Sequence, residues 1–172
     1  MGVDVAGFAK EFPGLNPHAN RAVRNLIRLG DVITDTINMR LKEHGLHLAS
    51  AQALSVLEGS HDPLTPNEIS AHLHLTSGSV TTLLDGLERR GLVRREQHPD
   101  DRRKVLVSIT DQGRALVDAF LPETVAIQTA VMTALSDDEL VALNDYVQAA
   151  LETAASVDPH DAARSARPRH SG

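Results

Sequence analysis

The chain has 172 residues, of which 41% are hydrophobic and 23% charged, with a formal net charge of −6 and no cysteine. That length suits one domain with its own apolar core, and the lack of cysteine excludes disulfide staples and thiol redox sensing within the chain. No apolar run approaches the ~20 residues that span a bilayer, and the N-terminus lacks the basic-then-apolar order of a secretion signal, so the expected location is cytoplasmic.

Residues 1–15 have no clear period; Phe8, Phe12 and Leu15 are interrupted by Pro13-Gly14. From Pro17 to His44 the apolar residues Val23, Leu26, Ile27, Ile33, Ile37 and Leu41 recur at steps of three, four or their sums, which predicts a long helix stopped by Gly45. Arg21, Arg24 and Arg28 lie along one side of it, either as a solvated face or as a nucleic-acid contact. Ser50 to Gly59 reads as a helix too short to stand alone. Ser60-His61-Asp62-Pro63 is a turn-rich connector.

Thr65-Pro66-Asn67-Glu68 then has the form of a capping box with proline at the first helical position, and Ile69 and Leu73 give the helix it opens an apolar side. After a break at Leu75-Thr76, a second helix runs from Ser77 to Arg90 with Val80, Leu83, Leu84 and Leu87 at helical spacing. Its other side is small and hydroxyl-bearing, and basic at the far end. Gly91 follows as a glycine able to take the left-handed conformation at a helix end.

The period then changes. Leu92–Gln97 and Lys104–Thr110 are β-prone runs, the second alternating with Val105, Val107 and Ile109 on one face. The turn between them, from His98 to Arg103, carries Arg102 and Arg103 at a tip too charged to suit a core. Helix, turn, helix and hairpin in this order make a winged helix-turn-helix, so the expected fold class is mainly α with a small β-hairpin wing.

Past the wing, Thr110 and Asp111 can open another helix. Leu116, Phe120, Leu121, Val125, Ile127, Val131, Met132 and Leu135 continue its apolar side, and Pro122 is expected to kink or bend it. Ser136-Asp137-Asp138-Glu139 is a second capping box, opening a last helix with Leu140, Leu143, Val147 and Leu151 at steps of three and four. The terminal helices carry more apolar stripe than a small reading head can cover, so they either pair with a second chain or fold back on their own. Asp158 to Gly172 has no period and is expected to be disordered.

The charge is unevenly distributed. Between Thr76 and Lys104 seven cations face five carboxylates, whereas Asp111 to Asp161 holds ten carboxylates against Arg114 alone. The negative total therefore does not argue against phosphate contact by the central region.

Leu87-Glu88-Arg89-Arg90-Gly91-Leu92-Val93, Asp100-Asp101-Arg102-Arg103 and Ile109-Thr110 followed by Gly113 resemble the multiple-antibiotic-resistance regulator (MarR) family. The resemblance implies a homodimer whose N- and C-terminal helices interleave, with Phe12, Leu15, Leu140, Leu143, Val147 and Leu151 at the dimer contact. It divides the chain into residues 1–47 (dimerisation), 48–110 (DNA binding), 111–157 (dimerisation) and 158–172 (tail). Near Ala49 the family usually has a capping threonine, for which Ser50 is the expected substitute.

In a helix-turn-helix the second helix enters the major groove by its N-terminal end, which puts Ser77, Gly78, Ser79, Thr81 and Thr82 at double-stranded DNA. Arg89 can meet phosphate or complement the helix dipole, and Arg102 and Arg103 would project from the wing. The resemblance makes Arg103 the choice for the minor groove and Asp101 a wing support, paired with Arg95 or another nearby arginine. Where relatives often carry arginine or lysine, this chain has Thr82 and Gly86. The implied site is an inverted repeat, and the implied effector a small aromatic or phenolic compound, such as an aromatic acid, in a pocket between the long helices and the reading head.

His44, His47, His72 and His74 do not have the spacing of a metal site, and no metal or cofactor is expected. Neither a cysteine nucleophile nor a G-x-S-x-G, phosphate-loop or H-E-x-x-H motif is present, so no enzyme is expected. The competing function is a winged-helix protein-interaction module without specific DNA binding.

Overall fold

Asn16 opens the first helix, α1 (Pro17–Leu41). Its side-chain oxygen accepts from the backbone N–H groups of His18 and Ala19 at 2.9 and 3.2 Å, two donors with no partner inside the helix. A 3-10 turn, Lys42–His44, continues α1 to Gly45, where φ of 66° ends it. The computed structural model describes residues 14–99, 101 and 103–160, together with Gly7 and Phe12. Most of the irregular segment 1–15, Phe8 included, and residues 161–172 of the expected disordered tail lie outside the described residues.

The chain divides into two compact units, one of Met1–Asp31 with Met132–Gly172 and one of Val32–Val131. In the second, α2 (Leu48–Gly59) begins two residues before the expected start. Ser50 is therefore not its cap. His47, at the cap position, makes no side-chain capping bond; instead Asn38 of α1 accepts the Leu48 N–H at 2.8 Å. The cap comes from ten residues upstream, where no local pattern marks it.

Next, α3 (Pro66–Leu73) starts from a complete capping box in which Thr65 accepts from the Glu68 N–H and Glu68 accepts from the Thr65 N–H. It ends at His74, whose φ of 52° turns the chain. Thr76 caps α4 (Ser77–Arg89), and Gly91, with φ of 70°, releases the chain from it.

Strands β1 (Val93–Gln97) and β2 (Val105–Ile109) pair antiparallel, with Val93 opposite Ile109 and Arg95 opposite Val107. Leu64 adds a bridge on the other side of β2, exchanging both backbone hydrogen bonds with Val107. The wing is thereby stitched to the segment entering α3. Thr110 caps α5 (Asp111–Val131) through the Gly113 N–H at 3.1 Å, and its hydroxyl donates to the Gly91 carbonyl. Pro122 lies inside α5 without ending it.

The core of this unit contains Leu41, Leu54, Ile69, Val80, Leu84, Leu87, Leu92, Val107, Val117 and Phe120, each at most 2% exposed. Each such leucine or phenylalanine contributes about 2 kcal/mol by leaving water. Gly113 is required by close approach: a Cβ there would overlap the Leu92 carbonyl oxygen and come within 2.6 Å of Ile109 Cγ1.

In the first unit, α6 (Asp137–Ala154) starts from the predicted capping box of Ser136 and Glu139. It has no buried residue. Leu140, Leu143 and Val147 are half-buried, while Val141, Tyr146 and Leu151 are exposed, as are Phe12 and Leu15. Among the described residues no helix is long and apolar enough to cross a membrane.

Candidate nucleic-acid interface

Helix α4 has two chemically distinct sides. Val80, Leu84 and Leu87 are buried and fix its rotation against the core, which leaves Ser77, Gly78, Ser79, Thr81 and Thr82 exposed together. The threonine hydroxyls donate back along the helix, Thr81 to the Ser77 carbonyl at 2.9 Å and Thr82 to the Gly78 carbonyl at 3.2 Å. Their lone pairs are left to accept from donors outside, such as the amino groups of adenine and cytosine in the major groove. A Cβ at Gly78 or Gly86 would meet nothing within 4 Å.

Arg89 is exposed at the end of α4. Arg90 is used internally, donating to the carbonyls of Gly45 at 2.6 Å and His44 at 3.1 Å. It satisfies acceptors at the end of the first helix, a role the sequence does not mark.

At the wing, the Arg103 side chain is 92% exposed. Asp101 accepts from both the backbone N–H of Arg103 at 3.1 Å and its Nε at 3.2 Å. Those two bonds hold the Asp101 carboxyl below the usual carboxylate range. Asp101 thus supports the tip through Arg103, the alternative to Arg95 in the expected pairing. Arg102 lies outside the described residues. Arg95 reaches α4 instead, with Nη1 at 2.5 Å from Asp85 and 3.1 Å from Glu88.

Behind the reading head is a cavity of about 380 Å³, lined mainly by Ile37, Leu41, Leu48, Val56, Leu73 and Phe120, with Gln52, His72, His74 and Gln128 among its polar groups. His44 packs edge-on to Phe120, with ring centroids 6.4 Å apart. Its Nε2 lies 2.8 Å from Glu123, which also accepts a two-pronged bond from Arg40. The Arg40 bonds, and then His44, bring the Glu123 carboxyl down to about 2. His44 is therefore committed to a carboxylate hydrogen bond.

An exposed hydroxyl-lined helix fixed by a buried apolar side, beside an arginine-tipped hairpin, defines a winged helix-turn-helix protein. The MarR family profile matches residues 44–104, from the end of the 3-10 turn through the wing tip. The HTH-type transcriptional repressor YetL of Bacillus subtilis is 40% identical over 76 residues, which are 44% of this chain and 46% of YetL. The HTH-type transcriptional regulator MhqR of the same organism is 32% identical over 109 residues, covering 63% of this chain and 74% of MhqR. Among solved structures, CouR from Rhodococcus jostii RHA1, determined bound to p-coumaroyl-CoA, is 28% identical with a TM-score of 0.66, covering 72% of this chain and 86% of CouR. The chain spans about half the length of YetL, and nearly three quarters of MhqR. It belongs to the MarR family of winged helix-turn-helix transcriptional regulators.

Proposed function

We propose that the chain acts in the cytoplasm as a homodimeric, sequence-specific regulator that binds double-stranded DNA at an inverted repeat, as a ligand-responsive repressor. The observation that carries this reading is the exposed side of α4, from Ser77 to Thr82, next to Arg103 on the wing. The helix suits the wide groove, and the arginine suits a narrow A·T-rich one. YetL, a relative named as a repressor, supports the direction of control.

Selection of bound duplexes from the region upstream of the chain's own gene tests the proposal. The expected site has half-sites about 10 bp apart, and affinity falls steeply with salt as counterions are released. Arg103→Ala is expected to weaken binding by ~1–3 kcal/mol. Failure to select any duplex favours the protein-interaction module.

The cavity behind the reading head supports an effector site, being within the ~300–1,000 Å³ usual for small ligands. No lysine or arginine is among the described residues that line it. Its lining is mostly apolar, with His72, His74, Gln52 and Gln128 among the polar groups, which suits a small aromatic or phenolic compound whose ring packs on the apolar side chains and whose polar group meets one of these. Thermal shift with a panel of phenols and aromatic acids tests this: stabilisation by at least one of them is expected, and no shift across the panel argues against an effector site here.

A further inference from the structure

We propose that Arg95 is a positioning residue for DNA recognition: from the wing, it masks two carboxylates that the recognition helix itself carries. The inference rests on the DNA-binding reading above. Helix α4 contains Asp85 and Glu88 but only one cation, Arg89. Asp85 lies three and four residues beyond Thr82 and Thr81, on the side of the helix that those threonines occupy. Its side chain is 49% exposed and that of Glu88 40%. Left alone, a helix meant for the groove of a polyanion would present net negative charge to it.

Arg95 is placed to correct this. In β1 it follows Val93 by two residues, so both side chains leave the same face of the hairpin. Val93 is buried in the core, and Arg95 comes just beyond the core's edge, where its side chain is 24% exposed and meets α4. One guanidinium nitrogen donates to both Asp85 and Glu88, and the other lies 3.4 Å from the Thr81 carbonyl oxygen. The planar fork reaches all three acceptors at once, which a lysine ammonium on a single stem does not reproduce. The same contacts join the stem of the wing to the recognition helix, so the hairpin that carries Arg103 is fixed relative to Thr81 and Thr82 before DNA arrives.

The experiment compares the unaltered chain with Arg95→Met, Arg95→Lys and the triple variant Asp85→Asn, Glu88→Gln, Arg95→Met. Each is measured against a selected duplex over a range of salt, with thermal melting as the control for folding. Arg95→Met is expected to stay folded and lose about tenfold or more in affinity, with the loss largest at low salt and shrinking as screening increases. Arg95→Lys should fall between the two. The triple variant, with the carboxylates removed, should recover to within about threefold of the unaltered chain.

Unchanged binding by Arg95→Met, a loss independent of salt, or a triple variant as weak as Arg95→Met would each overturn the masking role. Failure of the unaltered chain to retain any duplex would strike the DNA reading itself and take this one with it. That outcome is read in the control lane, apart from the variants.

Discussion

Helices α4 and α6 both start from a side-chain cap, Thr76 in one and Ser136 in the other, and both carry apolar residues at helical steps. Yet Val80, Leu84 and Leu87 of α4 are at most 2% exposed, while no residue of α6 is buried and Leu151 is 58% exposed. Caps and periodicity specify a helix locally; they do not supply the surface that covers it. For α4 that surface comes from α2, α3 and the hairpin stem. For α6 the proposed cover is the same region of a second chain.

The sharpest way to break the covered half of this comparison is at Gly113, where α5 passes the strand stem that backs α4. Gly113→Ala puts a methyl group onto the Leu92 carbonyl oxygen and Ile109, and the expected loss is about 3 kcal/mol of stability in denaturant unfolding. A fully tolerated alanine would mean that the joint between wing and α5 is looser than its geometry.

The uncovered half is tested by Leu143→Glu with Val147→Glu. Both positions are half-buried on α6, and charges there should leave the helix intact while weakening association by about 2 kcal/mol or more. Sedimentation is expected to show a dimer for the unaltered chain and a shift to monomer for the variant, with DNA affinity falling alongside. A monomeric unaltered chain would remove the proposed cover of α6.

Much of the region from Thr65 to Thr110 was legible because its signals are local. The capping box at Thr65, the glycine after α4, the alternating second strand and the exposed side from Ser77 to Thr82 stand in the structure as they read in the sequence, as does the second capping box, at Ser136, beyond this region. The partners were not legible. Asn38 rather than Ser50 caps α2, Arg90 holds the carbonyls of His44 and Gly45, and Glu123 meets Arg40 from 83 residues away. A charged side chain announces that it needs a partner, but only the folded chain chooses which. Arg95 shows this most directly: the expected pairing puts it with Asp101, but its acceptors are Asp85 and Glu88 on α4 rather than at the wing tip.

Between α3 and α4 the chain turns at His74 with φ of 52°, a conformation that costs a side-chain-bearing residue about 1 kcal/mol or more relative to glycine. His74→Gly is therefore expected to raise stability by about 1 kcal/mol. If stability instead falls, the contacts that the imidazole makes in the cavity wall outweigh the backbone relief.

The smallest effect concerns the joint between α1 and α5, made by Arg40 and Glu123. Glu123 has an ordinary value of 4.5 that its bonds to Arg40 and His44 bring to about 2 in the folded chain. Its contribution is therefore present above about pH 4.5 and is lost as pH falls from there through 2, because the unfolded chain takes up the proton first. Glu123→Gln should lower the melting temperature slightly at pH 7 and show a shallower decline between those two pH values than the unaltered chain. Capping carboxylates such as Glu68 and Glu139, also held low by their backbone bonds, decline in the same direction in both proteins. The difference between the two curves, rather than either curve alone, isolates Glu123. Curves that remain parallel down to pH 2 would mean that the contacts to Arg40 and His44 add nothing to the folded state beyond what water supplies to a half-exposed carboxylate.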